Sequence, residues 1–118
     1  MRTICVVTAT RAEYGLLRPV LQKLATATDL TLQLVVTGAH LCAHLGETVR
    51  EIEADRLPIA ARLPIFLEQE EPVARTIART LVVFDGYFAA HRPDVVLLLG
   101  DRFEIFAVAT AAAARHIP

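Results

Sequence analysis

The chain of 118 residues has room for one domain and one continuous core, not for two. At 54% hydrophobic and 21% charged residues it is no disordered tail, and a formal net charge of -1 supplies no basic field to hold nucleic acid or an acidic membrane. Two cysteines, Cys5 and Cys42, are too few for a disulfide framework or a metal cluster. Arg11 and Glu13 interrupt the opening too early for a secretory signal, and the longest apolar stretch, Ile105 to Ala114, is well short of the roughly 18 residues of a membrane span. A soluble, cytoplasmic protein is the expectation.

Thr3 to Val7 reads as a buried strand, with Cys5 as a small core residue. Thr8 to Glu13 form a loop, and a helix follows near Tyr14, because Leu17, Val20, Leu21 and Leu24 recur at helical spacing. Pro19 fits that helix only in its first turn, where a missing N–H is harmless. Leu30 to Val36 is the second strand, ended by Thr37-Gly38, and Leu45, Val49 and Ile52 mark a short amphipathic helix. Ile59 to Phe66 holds a third strand limited by Pro58 and Pro64. Glu70-Glu71-Pro72 starts a helix whose stripe Val73, Ile77, Leu81, Phe84, Phe88 runs to about Ala90. Val95 to Leu99 is apolar throughout, as a parallel strand covered on both faces must be, and Phe103 to about Arg115 is a last helix whose alanines imply close packing.

Fourfold alternation of strand and helix predicts an α/β fold, a Rossmann-like parallel sheet with right-handed crossovers and strand order 3-2-1-4. The loops after strands one and four, Thr8–Gly15 and Gly100–Glu104, then leave the sheet side by side at the topological switch point and face one crevice.

Neither a Gly-x-Gly-x-x-Gly run nor a Walker phosphate loop is present, so NAD and ATP are poorly supported. The first loop offers Arg11 beside the free N–H groups of a helix amino terminus, a diphosphate site or else a solvated arginine with Glu13 as a surface cap. In the second, Asp101 follows an apolar strand, where partial desolvation favours acid/base duty, or it only caps the last helix; Arg102 beside it is a second phosphate ligand candidate. His40, after strand two, stands at the same sheet edge as a possible ligand contact. With His44 it lacks the third ligand that a metal site needs.

The stretches Thr10-Arg11-Ala12-Glu13-Tyr14-Gly15, Thr37-Gly38-Ala39-His40-Leu41 with Gly46, Arg92-Pro93-Asp94 and Gly100-Asp101-Arg102-Phe103-Glu104 occur in this order in the hydrolysing UDP-N-acetylglucosamine 2-epimerases, which the chain resembles over essentially its whole length. The Arg-Ala-Glu-Tyr wording looks like the hydrolysing branch. The resemblance implies the amino-terminal half of a glycosyltransferase-B-like fold with its active site between two domains. It also implies elimination of UDP to a 2-acetamidoglucal, and addition of water to release N-acetylmannosamine for sialic acid-type sugars, with no metal or nicotinamide cofactor. By motif match Arg11, Ala12 and Arg102 would contact the UDP portion of the substrate and Asp101 would be the acid/base, with Gly15, His40 and Glu104 as further site candidates. A close variant of this reading acts on a UDP-2,4-diacetamido sugar of legionaminic acid synthesis; another is a non-catalytic nucleotide-binding or assembly module.

Two departures from the family wording stand out. Ala9 replaces a glycine, so the first loop is expected to differ slightly. The sequence stops at His116-Ile117-Pro118, where the family continues into a strand, a His-x-Gly-Gly-Glu-like segment and a second, nucleotide-gripping domain. From this follow the expectations of a truncated domain over residues 1–118 with little activity of its own, and of an exposed edge on strand four that favours a homo-oligomer.

Overall fold

The computed structural model describes residues 1–118. Its elements are β1 (Arg2–Thr8), α1 (Arg11–Thr26), β2 (Leu30–Thr37), α2 (Val49–Ala54), β3 (Ile59–Leu63), α3 (Val73–Ala90), β4 (Val95–Leu97) and α4 (Phe103–Ala114), with two short 3-10 turns, Gly38–Leu41 and Ala43–Leu45, between β2 and α2. All strand pairs are parallel and the order is β3-β2-β1-β4, the predicted Rossmann-like arrangement.

The sheet divides the core in two because side chains alternate across a strand. Cys5, Val7 and Val35 face Phe84 and Phe88 of α3 and Val108, Ala111 and Ala112 of α4. Val6, Leu34 and Val36 point the other way, against Tyr14, Leu17 and Leu21 of α1 and Val49 and Ile52 of α2. The single core expected from length is therefore two half-cores in a three-layer sandwich.

Several elements differ from the sequence expectation for identifiable reasons. Helix α1 starts at Arg11, three residues before the expected start near Tyr14, because Thr10 and Glu13 form a reciprocal capping box. Pro19 lies deep inside α1 and not in its first turn. It is tolerated there because both Pro19 and Gly15, whose carbonyl loses its helical donor, are solvent-exposed. Leu45 sits in a 3-10 turn and is exposed, so α2 buries only Val49 and Ile52. Strand β3 stops at Leu63, where Pro64 can donate nothing to the ladder, and β4 pairs with β1 only from Val95 to Leu97 before Gly100 turns the chain at φ +105°.

The Arg92-Pro93-Asp94 break fastens two ends at once. The Asp94 carboxylate accepts from the Thr3 amide at 2.7 Å while the Asp94 amide donates to the Thr3 carbonyl at 2.9 Å, setting the start of β4 beside β1. Arg92 reaches the carbonyls of Arg115 and His116, at 2.9 and 3.3 Å, and closes the carboxyl end of α4. On the outer side of β4, the Val96 amide donates to the Pro118 carbonyl at 2.8 Å, so the chain's last residue partly covers that edge. No helix is long and apolar enough to cross a membrane.

Candidate functional site

The strand order brings the carboxyl ends of β1 and β4 together, and the residue that joins the two corners is Glu13. Its Oε2 accepts from the Ala9 amide at 2.9 Å and the Thr10 amide at 3.3 Å, while the Glu13 amide donates to Thr10 Oγ1 at 3.3 Å. Its Oε1 turns to the other corner, 3.5 Å from where a Cβ on Gly100 would stand, and has no hydrogen-bond partner. Glu13 is only 6% exposed; it is a buried link between the loops and not a surface cap. Burial raises its pKa above the usual carboxylate value, the two amide bonds pull it down, Glu104 pushes it up and Arg102 pulls it down again.

Across the corner, Arg102 Nε donates to both carboxylate oxygens of Glu104, at 3.2 and 3.0 Å, and its guanidinium lies 5.5 Å from the centroid of the Phe103 ring. The Glu104 side chain is fully buried, whereas that of Arg102 is 52% exposed. Arg102 therefore presents a partly free cation at the rim of the crevice. Asp101 beside it is solvent-exposed, so the expected desolvation of its carboxylate is not found, and neither is a capping bond, since the residue preceding α4 is Arg102 and no side chain caps it.

At the first corner the backbone amides of Arg11 and Ala12 lie in the opening turn of α1, whose acceptor-less N–H groups carry the positive end of the helix dipole. The Arg11 side chain does not join Arg102 over the crevice as expected. Its Nε pairs with Glu51 Oε1 of α2 at 3.1 Å, drawn by the carboxylate that α2 presents on that side. Both partners are largely exposed, and an ion pair of that kind holds its side chain weakly. Gly15 also falls away from the crevice. It lines an open groove of about 410 Å³ between α1 and α2 together with Arg11, Tyr14, Arg18, Glu51 and Asp55.

His40 is the clearest correction. It is fully buried, with Nε2 2.9 Å from Thr8 Oγ1, Nδ1 2.7 Å from Thr48 Oγ1 and its ring edge-on to Tyr14. Both ring nitrogens are occupied by hydroxyls, which match either tautomer of a neutral imidazole, so none is left for a ligand. Burial lowers its pKa to about 4. His40 is a strut between the end of β1 and the start of α2.

A glycine lets the loop after β2 approach the loop after β1. Gly38 has φ +61°, and a Cβ there would stand 2.9 Å from the Ala9 carbonyl oxygen. Ala9 itself is not among the residues with positive φ, so the alanine costs this loop nothing in backbone freedom; it is buried against Gly38.

Sequence reasoning missed a hollow of about 300 Å³ adjoining the corner, lined by Phe103, Phe66, Leu45, Val73 and the Glu68–Glu71 segment. Phe103 and Phe66 meet edge-to-face there, and Glu71 is held by the Arg79 and Thr76 side chains, with the Arg79 bonds lowering its pKa to about 2. The available signal was the sequence position of Phe103 directly after Arg102. The site thus combines helix amides, an exposed guanidinium and an aromatic-walled hollow on one edge of the sheet, an arrangement suited to a diphosphate joined to flatter or less polar groups.

The family model described as UDP-N-acetylglucosamine 2-epimerase matches residues 22–118. The chain is 46% identical over 120 residues to the UDP-N,N'-diacetylbacillosamine 2-epimerase (hydrolyzing) of Legionella pneumophila, covering 100% of this chain and 32% of that protein. It is 31% identical over 113 residues to the UDP-N-acetylglucosamine 2-epimerase of Neisseria meningitidis, covering 96% of this chain and 30% of that protein. The crystal structure of the UDP-GlcNAc 2-epimerase from Neisseria meningitidis bound to UDP-GlcNAc shares the fold, with a TM-score of 0.82 at 22% identity over 100% of this chain and 31% of that one. The chain spans about a third of the length of the relatives it matches. A family model covering most of the sequence, the fold match and the motif-bearing corners of one sheet agree: this chain belongs to the UDP-N-acetylglucosamine 2-epimerase family.

Proposed function

We propose that this chain is the amino-terminal domain of a hydrolysing 2-epimerase that acts on a UDP-linked 2-acetamido sugar, eliminating UDP to a glucal and adding water to release the 2-epimeric free sugar. The observation that carries this reading is the pairing of the α1 amino terminus with the partly exposed Arg102 at the switch point. The diphosphate gains negative charge as it departs, and helix amides with a nearby guanidinium stabilise that charge more in the transition state than in the ground state. The Ala12 amide and Arg102 hold the diphosphate, and Arg11 turns to it from its weak pair with Glu51. Asp101 is the acid/base candidate. Its exposure in this domain means that a facing surface must exclude water before a weakly acidic sugar C2 proton can be moved efficiently.

For the sugar, the higher identity to the diacetylbacillosamine enzyme, 46% against 31%, favours a 2,4-diacetamido substrate over N-acetylglucosamine. These 118 residues supply one wall of the reaction site and span about a third of the length of the relatives they match. The test is an amide-resolved NMR titration of the chain with UDP, followed by the two UDP-sugars side by side. Saturable shifts centred on Ala12 and the Asp101-Arg102 amides, stronger with the 2,4-diacetamido sugar, support the reading. Absence of UDP shifts at both corners contradicts it, and equal or weaker binding of the 2,4-diacetamido sugar contradicts the choice of substrate.

A further inference from the structure

Resting on the reading of Arg102 as a diphosphate ligand, the geometry points to Glu13 and Glu104 as a proton-accepting pair: when a nucleotide diphosphate draws Arg102 away from Glu104, the two buried carboxylates together take up a proton from solvent.

Three features of the corner lead there. Glu13 and Glu104 are both buried carboxylates, 6% and 0% exposed, and Arg102 is the cation between the second of them and solvent. The Arg102 side chain spends its Nε on Glu104 while half of its surface is open, so an incoming dianion competes with Glu104 for the same guanidinium. Glu13 has one oxygen held by two amides and one with no partner at all. The proton is held within the pair: Glu104 has lost its Nε–H donor, and Glu13 Oε1 has none, so that protonation there leaves the amide bonds to Oε2 intact. No bond to the ligand is made or broken by this step; one proton moves from solvent to the Glu13–Glu104 pair.

The surrounding charges set the direction. On α1, Arg11 is turned to Glu51 and does not face Glu13. From α4 and the β4 corner come Glu104, which disfavours charge on Glu13, and Arg102, which favours it; Asp101 stands in solvent. On the β2 side His40 is tied to Thr8 and Thr48 and held neutral by burial. Removing Arg102 from this set leaves two uncompensated buried carboxylates, and like charges in low dielectric do not both remain ionised. The consequence for the site is that Glu13 keeps the Ala9 and Thr10 amides, and with them the start of α1, in place while the ligand exchanges charge with the corner.

The experiment is calorimetric titration of the full chain with UDP near pH 6.5 in two buffers of different ionisation enthalpy, on wild type, Glu13→Gln and Glu104→Gln. Because UDP's own ionisation is common to all three proteins, the difference between them isolates the corner. Wild type is expected to take up about half a proton more per UDP than Glu13→Gln, so that the ratio of their affinities moves about threefold per pH unit in favour of wild type on acidification. Equal uptake in wild type and Glu13→Gln overturns the inference, and if that variant does not fold, equal uptake in wild type and Glu104→Gln does so. If UDP does not bind, the functional reading fails on its own. Coupling is then read without ligand from the carboxyl carbon titration of Glu13, whose midpoint must rise in Arg102→Gln and fall in Glu104→Gln; midpoints that do not move overturn the inference.

Discussion

The free carboxylate oxygen of Glu13 faces Gly100 so closely that a methyl group on Gly100 would sit 3.5 Å from it. This contact between the first turn of α1 and the turn after β4 is the physical join of the two corners that the motifs mark, and its surroundings set the predictions that follow.

The glycines near this join are not equivalent. Gly38, at φ +61°, has backbone of Ala9 2.9 Å from its missing Cβ, whereas Gly15 lies in a helix with open space around it. Gly38→Ala is expected to cost about 2 kcal/mol or more through strain and clash, and Gly15→Ala to gain about 0.5–1 kcal/mol. Urea denaturation of the two variants checks the opposite signs.

His40 makes stability depend on pH. Its folded pKa, about 4, lies below the ordinary 6.5, so between these values the unfolded chain binds a proton that the folded chain refuses. Stability from this source is full above pH 6.5 and is lost as pH falls toward 4, by up to about 3 kcal/mol. His40→Gln removes the titration, and its stability curve over that window should be flatter than that of wild type by about that amount. Parallel curves would contradict the strut assignment.

Asp94 should matter more than an exposed aspartate at a break suggests. Its carboxylate and amide both bond to Thr3, fixing β4 against β1. Asp94→Ala is expected to destabilise by about 1–2 kcal/mol and to speed hydrogen exchange at Thr3, with the helices α1 and α2 less affected. Residue-resolved exchange measures both.

The strands and their order were legible because β1 and β4 are short apolar runs that fit only a sheet covered on both faces, and the helices between them show clean apolar stripes. What the stripes could not show lies where polar residues act inside the fold. Thr10 and Glu13 look like solvent-facing loop residues, yet together they begin α1, and Glu13 is buried by contacts with Gly100 that are remote in sequence. His40 looks like a ligand candidate for the same reason: its two hydroxyl partners, Thr8 and Thr48, come from different elements. Arg11, expected in the loop ahead of the helix, is the first residue of α1, and its side-chain direction depends on Glu51 of α2, a partner that no local pattern reveals.

In the proposed function Arg102 and the start of α1 hold one diphosphate. UDP affinity of the chain, measured by calorimetry for wild type, Arg102→Ala and Arg11→Ala with unfolding midpoints checked in parallel, addresses this most directly. Loss of charge-assisted bonds predicts weakening of roughly 10-fold or more for Arg102→Ala and a smaller loss for Arg11→Ala, which must first leave Glu51. UDP affinity unchanged in both variants, with both still folded, would contradict the account.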